Sequence, residues 1–471
     1  MSHFTVFLKR DCATCQAVAP VIAELRARGL ALIAWVQDDP GFYASLGAED
    51  DTSLRASFLA DVETVPTVVR DDGAKAEGWD RAAWEELTGQ PDLGPGLPPF
   101  QPGCGSKTRE PFVHEALAAR FGPALLAARA IPLGAWDDDA EACFDRGWSD
   151  GLPVVPPTDA RILRMLAGTK RLPNEIVGSI PPNLVPCTVE KVAINAVMAG
   201  CRPEYMPVLL AALEAALEPV FTLHGVTCST CFSAPVIVVN GPIARRIGMN
   251  SGANALGQGN RANATIGRAL NLIIRNVGGA VPGGIDQATL GGPHKVGFCF
   301  AEAEDDPTWQ PLAQARGIAP GRSAVTLFQG EGIQGVIDWR SRTADELARS
   351  LALSLLAVGH WKLCEFFNAI LVLAPEHHAI FRNAGWGRGE VEGALRAALR
   401  RPGRDLVAGA GGVGEGMATA RAEDMVDKFW PEGLLVVRAG GAAGLYSAIC
   451  AGWTGGRFRH ESQPVTREIV A

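Results

Sequence analysis

Hydrophobic positions along the chain follow two periods. Near the start, Phe4-Thr5-Val6-Phe7-Leu8 is a short β-rich run, and Leu30 to Val36 is a second. Between them, Ala17 to Arg28 sets Val18, Val21, Ile22 and Leu25 on one side, the spacing of an amphipathic helix. Thr64-Val65-Pro66-Thr67-Val68-Val69 predicts a third strand, with Asp71-Asp72-Gly73 as a turn, and a helix follows around Arg81 to Thr88. The pattern then breaks. Gln90 to Gly103 carries so many prolines and glycines that neither helix nor strand is expected, and it reads as a connector. The expected division is therefore a domain over 1–90, a linker over 91–111, a large domain over 112–456 and a tail over 457–471.

In the large part, helical spacing predicts Glu115 to Arg129, Asp137 to Arg146, Asp159 to Leu166, Val189 to Ala199 and Met206 to Ala216. Three continuous apolar runs each lead through a Gly or Pro turn into an expected helix. They are Val236 to Asn240, Ile370 to Leu373, and Leu434 to Val437 with its helix at Leu445 to Ile449. Continuous apolar strands are those buried on both faces, so the expected class is α/β, a sheet covered by helices. Leu347 to Val372 is the most apolar long stretch, but His360, Lys362 and Glu365 interrupt it. It is expected to be a buried helix and strand, with no membrane partner.

Composition changes this picture little. The chain has 471 residues, enough for two or three domains, and a net charge of −8 without a basic run, which leaves a nucleic-acid partner unsupported. Eleven scattered cysteines suit a reducing compartment. The first strand begins within a few residues of Met1, so no leader is read and a cytoplasmic location is expected.

Chemistry concentrates at Cys12-Ala13-Thr14-Cys15, at the turn from the first strand into the first helix. Unpaired amides and the helix dipole there favour a thiolate on Cys12, and Cys15, one turn on, can close a disulfide onto it. Half of a zinc site, or two unconnected buried cysteines, are the alternatives. With the strand order and the Val65-Pro66-Thr67 step, the first 90 or so residues resemble thioredoxin. The resemblance implies an attacking Cys12, a resolving Cys15 and a cis Pro66 lying against them. Ala13-Thr14 stand where thioredoxin has Gly-Pro.

The large part has a resemblance of its own. Gly147-Trp148-Ser149-Asp150-Gly151-Leu152-Pro153, Thr188 to Tyr205, Asn260 to Ala269 and Phe298 to Glu302 are similar to motifs of a bacterial family with no assigned activity. Where that family has a Thr-Thr-Gly step, this chain has Thr227-Cys228-Ser229-Thr230-Cys231 after His224-Gly225-Val226. Cys228 and Cys231 read as a second dithiol or catalytic thiol. His224, Cys228 and Cys231 together read alternatively as three metal ligands, or as a small-residue loop. Asn250, Asn254, Asn260, Arg261, Asn263 and Arg268 lie in a polar loop running into a helix, a candidate anion or carboxylate site or else a set of caps and turns. Cys299 is a candidate nucleophile with His294 or Glu302 as base, or a buried strand cysteine. Gly409-Ala410-Gly411-Gly412-Val413-Gly414 spells a dinucleotide fingerprint without the strand and the acidic partner it requires.

Together these point to a thiol–disulfide oxidoreductase. The N-terminal dithiol, recharged by a cellular thiol reductant, would feed a cysteine site of the large domain acting on a small molecule. A redox-active disulfide serves in place of a bound cofactor. A thiol-based lyase or hydrolase, or a thiol-delivery protein without turnover, are the alternatives. The sharpest geometric expectation is one pocket walled by the His224 to Cys231 loop, the Asn250 to Arg268 loop and the strand of Cys299.

Overall fold

The computed structural model describes residues 2–123, 125–454 and 462–470. Helices and strands mix throughout, an α/β architecture, and the chain divides into two units. One comprises Met1–Leu125 with Thr158–Arg164, the other Leu126–Pro157 with Met165–Ala471.

The first unit runs β1 (His3–Leu8), α1 (Ala13–Ala27), β2 (Ala31–Val36), β3 (Glu49–Asp50), α2 (Arg55–Leu59), β4 (Thr64–Val65), β5 (Thr67–Arg70), β6 (Lys75–Glu77), β7 (Trp79–Asp80), α3 (Arg81–Thr88), β8 (Phe100–Gln101), β9 (Cys104–Gly105) and α4 (Val113–Phe121). Its main sheet has the order β3-β2-β1-β5-β6, with β1 parallel to β2 and antiparallel to β5. The α1 stripe read from the sequence is the packed one: Val18, Ile22 and Leu25 are fully buried against Val6, Leu8, Val36 and Val68. Each such side chain contributes about 1.5–3 kcal/mol through removal from water. The peptide bond between Val65 and Pro66 is cis.

The stretch 91–111 is not a free linker. β8 pairs with β7 and β9 with β4, Leu93 is fully buried, and the Trp79 indole donates to the Pro98 carbonyl at 2.7 Å. Proline and glycine ruled out a long strand here, but pairs only two residues long need no periodicity. α4, expected in the large domain, also belongs to this unit, with His114 against Phe58 at 5.6 Å. It stops at Phe121 rather than Arg129 because Pro123 follows Gly122.

The second unit continues with α5 (Asp139–Asp145), α6 (Asp159–Leu166), whose first turns belong to the first unit, β10 (Ile176–Ile180), β11 (Val185–Thr188), α7 (Val189–Ala199), α8 (Met206–Ala216), α9 (Leu223–Cys228), β12 (Ala234–Asn240), α10 (Pro242–Arg246) and α11 (Arg261–Asn276). Then come β13 (Phe298–Ala301), α12 (Leu312–Ala315), β14 (Ala324–Ile337), α13 (Ala344–Leu355), β15 (Phe367–Leu373), α14 (Pro375–Asn383), α15 (Arg388–Leu399), β16 (Arg401–Pro402), α16 (Gly403–Leu406), β17 (Met425–Val426), β18 (Leu434–Arg438), β19 (Tyr446–Thr454) and β20 (Val465–Glu468). A mixed sheet of order β13-β12-β14-β19-β15-β18, with β20 also on β14, is its centre. Alternate residues of β15 serve two layers. Ala369, Leu371 and Leu373 pack with Leu347, Leu351 and Phe381, while Ile370 and Val372 pack with Phe300, Phe328 and Val437.

Two expectations fail here. Leu445 to Ile449 is not a helix but the start of β19, paired antiparallel to β14 and β15, since Ser447 and Ile449 face inward at the period of a strand. The expected tail is partly structured: Val465–Glu468 is a sheet strand, and 457–461 lie outside the described residues. Among the described residues, no single helix is long and apolar enough to cross a membrane.

Candidate functional site

In the first unit, β1 delivers the chain to α1 with Cys12 as the helix N-cap and Cys15 in the first turn. The Cys15 amide donates to the Cys12 sulfur at 3.4 Å, as a capping hydroxyl would accept it. When protonated, the Cys12 thiol reaches the Val65 carbonyl at 3.5 Å, next to cis Pro66. Hydrogen bonding from Cys15, aided by the thiol of Cys104 and opposed by burial, lowers the Cys12 thiol to about 5. Burial, reinforced by the Cys12 sulfur, drives the Cys15 thiol far up. One sulfur is a thiolate at neutral pH and the other a thiol, which is the division that attack and resolution require.

Cys104 lies in β9, opposite Val65 in the β4–β9 pair. No periodic signal marks a two-residue strand, so the placement was not readable. Thr14, inside the motif, is buried and its hydroxyl donates to the Pro102 carbonyl at 2.7 Å, two residues ahead of Cys104.

In the second unit the candidates separate. His224 is exposed at the start of α9, and Cys228 and Cys231 are half-buried around its C-terminal end. Among the described residues no three or more His, Cys, Asp and Glu side chains are gathered as a metal would need, so His224, Cys228 and Cys231 do not form a ligand set. All eleven cysteines are free thiols.

Cys299 is buried in β13 and its thiol is pushed well up by burial, which is wrong for a nucleophile. Its expected bases are engaged elsewhere. His294 contacts the Phe232 carbonyl through Nε2 at 2.5 Å. Glu302 is fully buried and pairs with the Arg388 guanidinium at 3.0 Å, accepting also from Asn240, the Leu312 amide and the Trp309 indole.

The polar loop holds itself. Asn250 donates to Ala253, Asn254 to Gln258, Asn260 to Gly248, and Asn263 to Asn250 and Ala255, all at backbone carbonyls. Arg261 donates to the Gly200 carbonyl. Arg268 grips Asp150 through two bonds of 2.8 and 2.7 Å. These bonds build the loop, as the caps-and-turns reading has it, and of these six residues Asn254 also lines a cavity. Glu190 is buried and accepts from the amides of Ala127 and Ala128, and His377 and His378 are buried.

The glycine-rich run 409–414 turns its carbonyls, not its amides, inward. The fully buried Lys362 ammonium donates to the carbonyls of Val407, Ala410 and Val413, so the run cages a cation where a phosphate cradle would present N–H groups.

Among the described residues, cavities of the second unit include three whose walls contain none of Cys228, Cys231 and Cys299. One of about 180 Å³ has Val226, Thr227 and Asn271 in its wall. A second, of about 330 Å³, takes Asn254 and Tyr446. The largest, about 700 Å³, lies past the carboxyl ends of β12, β13 and β18 and carries Arg245, Arg246, Arg322 and Arg438 with Glu302 and Glu304. The common pocket expected from chain order is thus divided: Ser251 and Gly252 of the second loop share the largest of these cavities with Ala301 at the end of β13, whereas Val226 and Thr227 of the first loop line a different one.

No family model matches the chain, and no curated protein matches it.

Proposed function

We propose that this protein is a thiol–disulfide oxidoreductase whose first unit is a thioredoxin-like exchange module, with Cys12 attacking and Cys15 resolving. The carrying observation is the Cys12 sulfur at the N-cap of α1, its thiol lowered to about 5 while buried Cys15 is driven up. The β3-β2-β1-β5-β6 order and the cis bond before Pro66, beside Cys12, support the same reading.

In the forward step the Cys12 thiolate attacks one sulfur of a substrate disulfide. The other sulfur leaves as a thiolate and takes a proton. Cys15 gives up its proton, attacks the Cys12 sulfur of the mixed disulfide and expels the second substrate thiol. Two protein thiols have become a disulfide and the substrate disulfide two thiols, and a cellular dithiol reverses the change in the protein. In the large unit, Cys228 and Cys231 are the half-exposed pair which, once oxidised to a disulfide by the substrate, is suited to receive these electrons, whereas buried Cys299 is not. In the 700 Å³ cavity Arg322 is paired with Glu468 and Arg438 with Asp305, so Arg245 and Arg246 are the groups that suit it to a small anionic molecule.

The test is reduction of a small fluorogenic disulfide by the full chain with dithiothreitol as recycling thiol. Cys12→Ser is expected to lose turnover and Cys15→Ser to slow it. Undiminished turnover in Cys12→Ser would refute the assignment.

A further inference from the structure

We propose that Cys104 is a third redox thiol of the Cys12 site, which resolves the mixed disulfide on Cys12 by forming a Cys12–Cys104 disulfide. This rests on Cys12 being the attacking thiol.

The position is built rather than incidental. Cys104 stands opposite Val65, the residue whose carbonyl the Cys12 thiol reaches, and this brings Cys104 near Cys12. Four contacts hold its strand there. Thr14 binds the Pro102 carbonyl at 2.7 Å, the Lys9 ammonium binds the Gly105 carbonyl at 2.8 Å, the Ser106 amide donates to Glu63 at 2.8 Å, and the Gln37 amide reaches the Ser106 hydroxyl at 2.8 Å. Gly103 allows the approach, since a Cβ there would lie 2.4 Å from Thr64 Cγ2 and 2.6 Å from the Val65 carbonyl.

Exposure and charge then fit Cys104 as a second resolving group beside Cys15. Cys104 is half-exposed where Cys15 is fully buried. The Cys104 thiol is raised chiefly by its hydrogen bond to the Cys12 sulfur, whereas Cys15 is raised chiefly by burial. Once Cys12 is capped as a mixed disulfide its negative charge is gone. The main cause holding the proton on Cys104 goes with it, and the Lys9 ammonium, which favours the Cys104 thiolate, remains. For Cys15 burial persists. The step balances as the Cys15 one does: Cys104 loses its proton, its sulfur bonds to Cys12, and the bond from Cys12 to the substrate sulfur breaks, releasing a thiol.

The experiment treats pre-reduced full-length Cys15→Ser with oxidised glutathione, quenches with acid and maps the peptides. The expected result is a Cys12–Cys104 cross-linked peptide without glutathione on Cys12. Cys15→Ser/Cys104→Ser is expected to retain glutathione there. If Cys15→Ser keeps glutathione on Cys12 as fully as the double variant, the proposal is overturned. Cys12 left unmodified in both variants would overturn the exchange reading beneath it instead. A second readout is independent of any cross-link: Cys104→Ala in the otherwise unchanged chain should move the pH midpoint of Cys12 alkylation upward, and an unmoved midpoint counts against contact between the two side chains.

Discussion

Lys362 and Cys12 illustrate how far single residues can be read. Sequence spelling suggested a phosphate cradle at 409–414, but spelling does not say whether carbonyls or amides face inward, and a lysine far away in sequence decides it. Replacing Lys362 with Met removes the ammonium these three carbonyls share, while each keeps one backbone amide. We expect a loss of about 1–3 kcal/mol in urea unfolding, the net worth of hydrogen bonds from a charged donor. Cys12 was legible because an N-terminal thiol needs only the strand-to-helix turn, which local pattern supplies. Its lowered thiol also links to stability. In the reduced protein the unfolded chain holds this proton up to its ordinary value of 9.0, while the folded chain releases it near 5. Stabilisation by the thiolate is therefore complete above about pH 9 and lost as pH falls through about 5. Urea unfolding of the reduced protein and of Cys12→Ser should show a stability difference that grows across that window. A flat difference would mean an ordinary thiol.

At the scale of elements, strong periodicity was read well and short pairings were not. The helices 159–166, 189–199 and 206–216 have the bounds their spacing gave, because two to three turns of apolar stripe leave little choice. Residues 91–111 were misread because their order comes from partners elsewhere: Arg81 donates to the carbonyls of Gly94 and Leu97, and Leu93 fills a hole beside Trp79. Leu93→Ala should therefore destabilise the first unit by about 2–5 kcal/mol, the cost of emptying a buried leucine site. Thermal melting followed by tryptophan fluorescence reads it, and a change near zero would restore the linker reading. The helix expected at 445–449 was a strand for a similar reason. Tyr446 to Thr454 is long enough for either, and pairing with β14 and β15 chose.

At the scale of the whole molecule, the α/β class was legible because apolar strands without alternation must be covered on both faces. The pocket was not, since chain order gives the carboxyl ends of strands but not which loops turn toward a shared space. What occupies the centre of the large unit is a buried ion pair, Glu302 with Arg388, which local sequence could not announce because the partners stand 86 residues apart. Removing one partner leaves the other charged and dry, so Glu302→Ala should cost about 3–5 kcal/mol by calorimetry of the large-unit transition. Disulfide reduction at 25 °C, where the protein stays folded, should be unchanged. Loss of turnover in the folded variant would tie the pair to the chemistry.

The central claim is that the Cys12 thiolate is the nucleophile, and the pH profile of alkylation tests it most directly. Reduced protein is pulsed with iodoacetamide across pH 4–9 and the labelled peptides are mapped. The account predicts labelling of Cys12 with a midpoint near 5 and protection of Cys15 throughout. A Cys12 midpoint near the ordinary 9.0, or labelling of Cys15 ahead of Cys12, would contradict it.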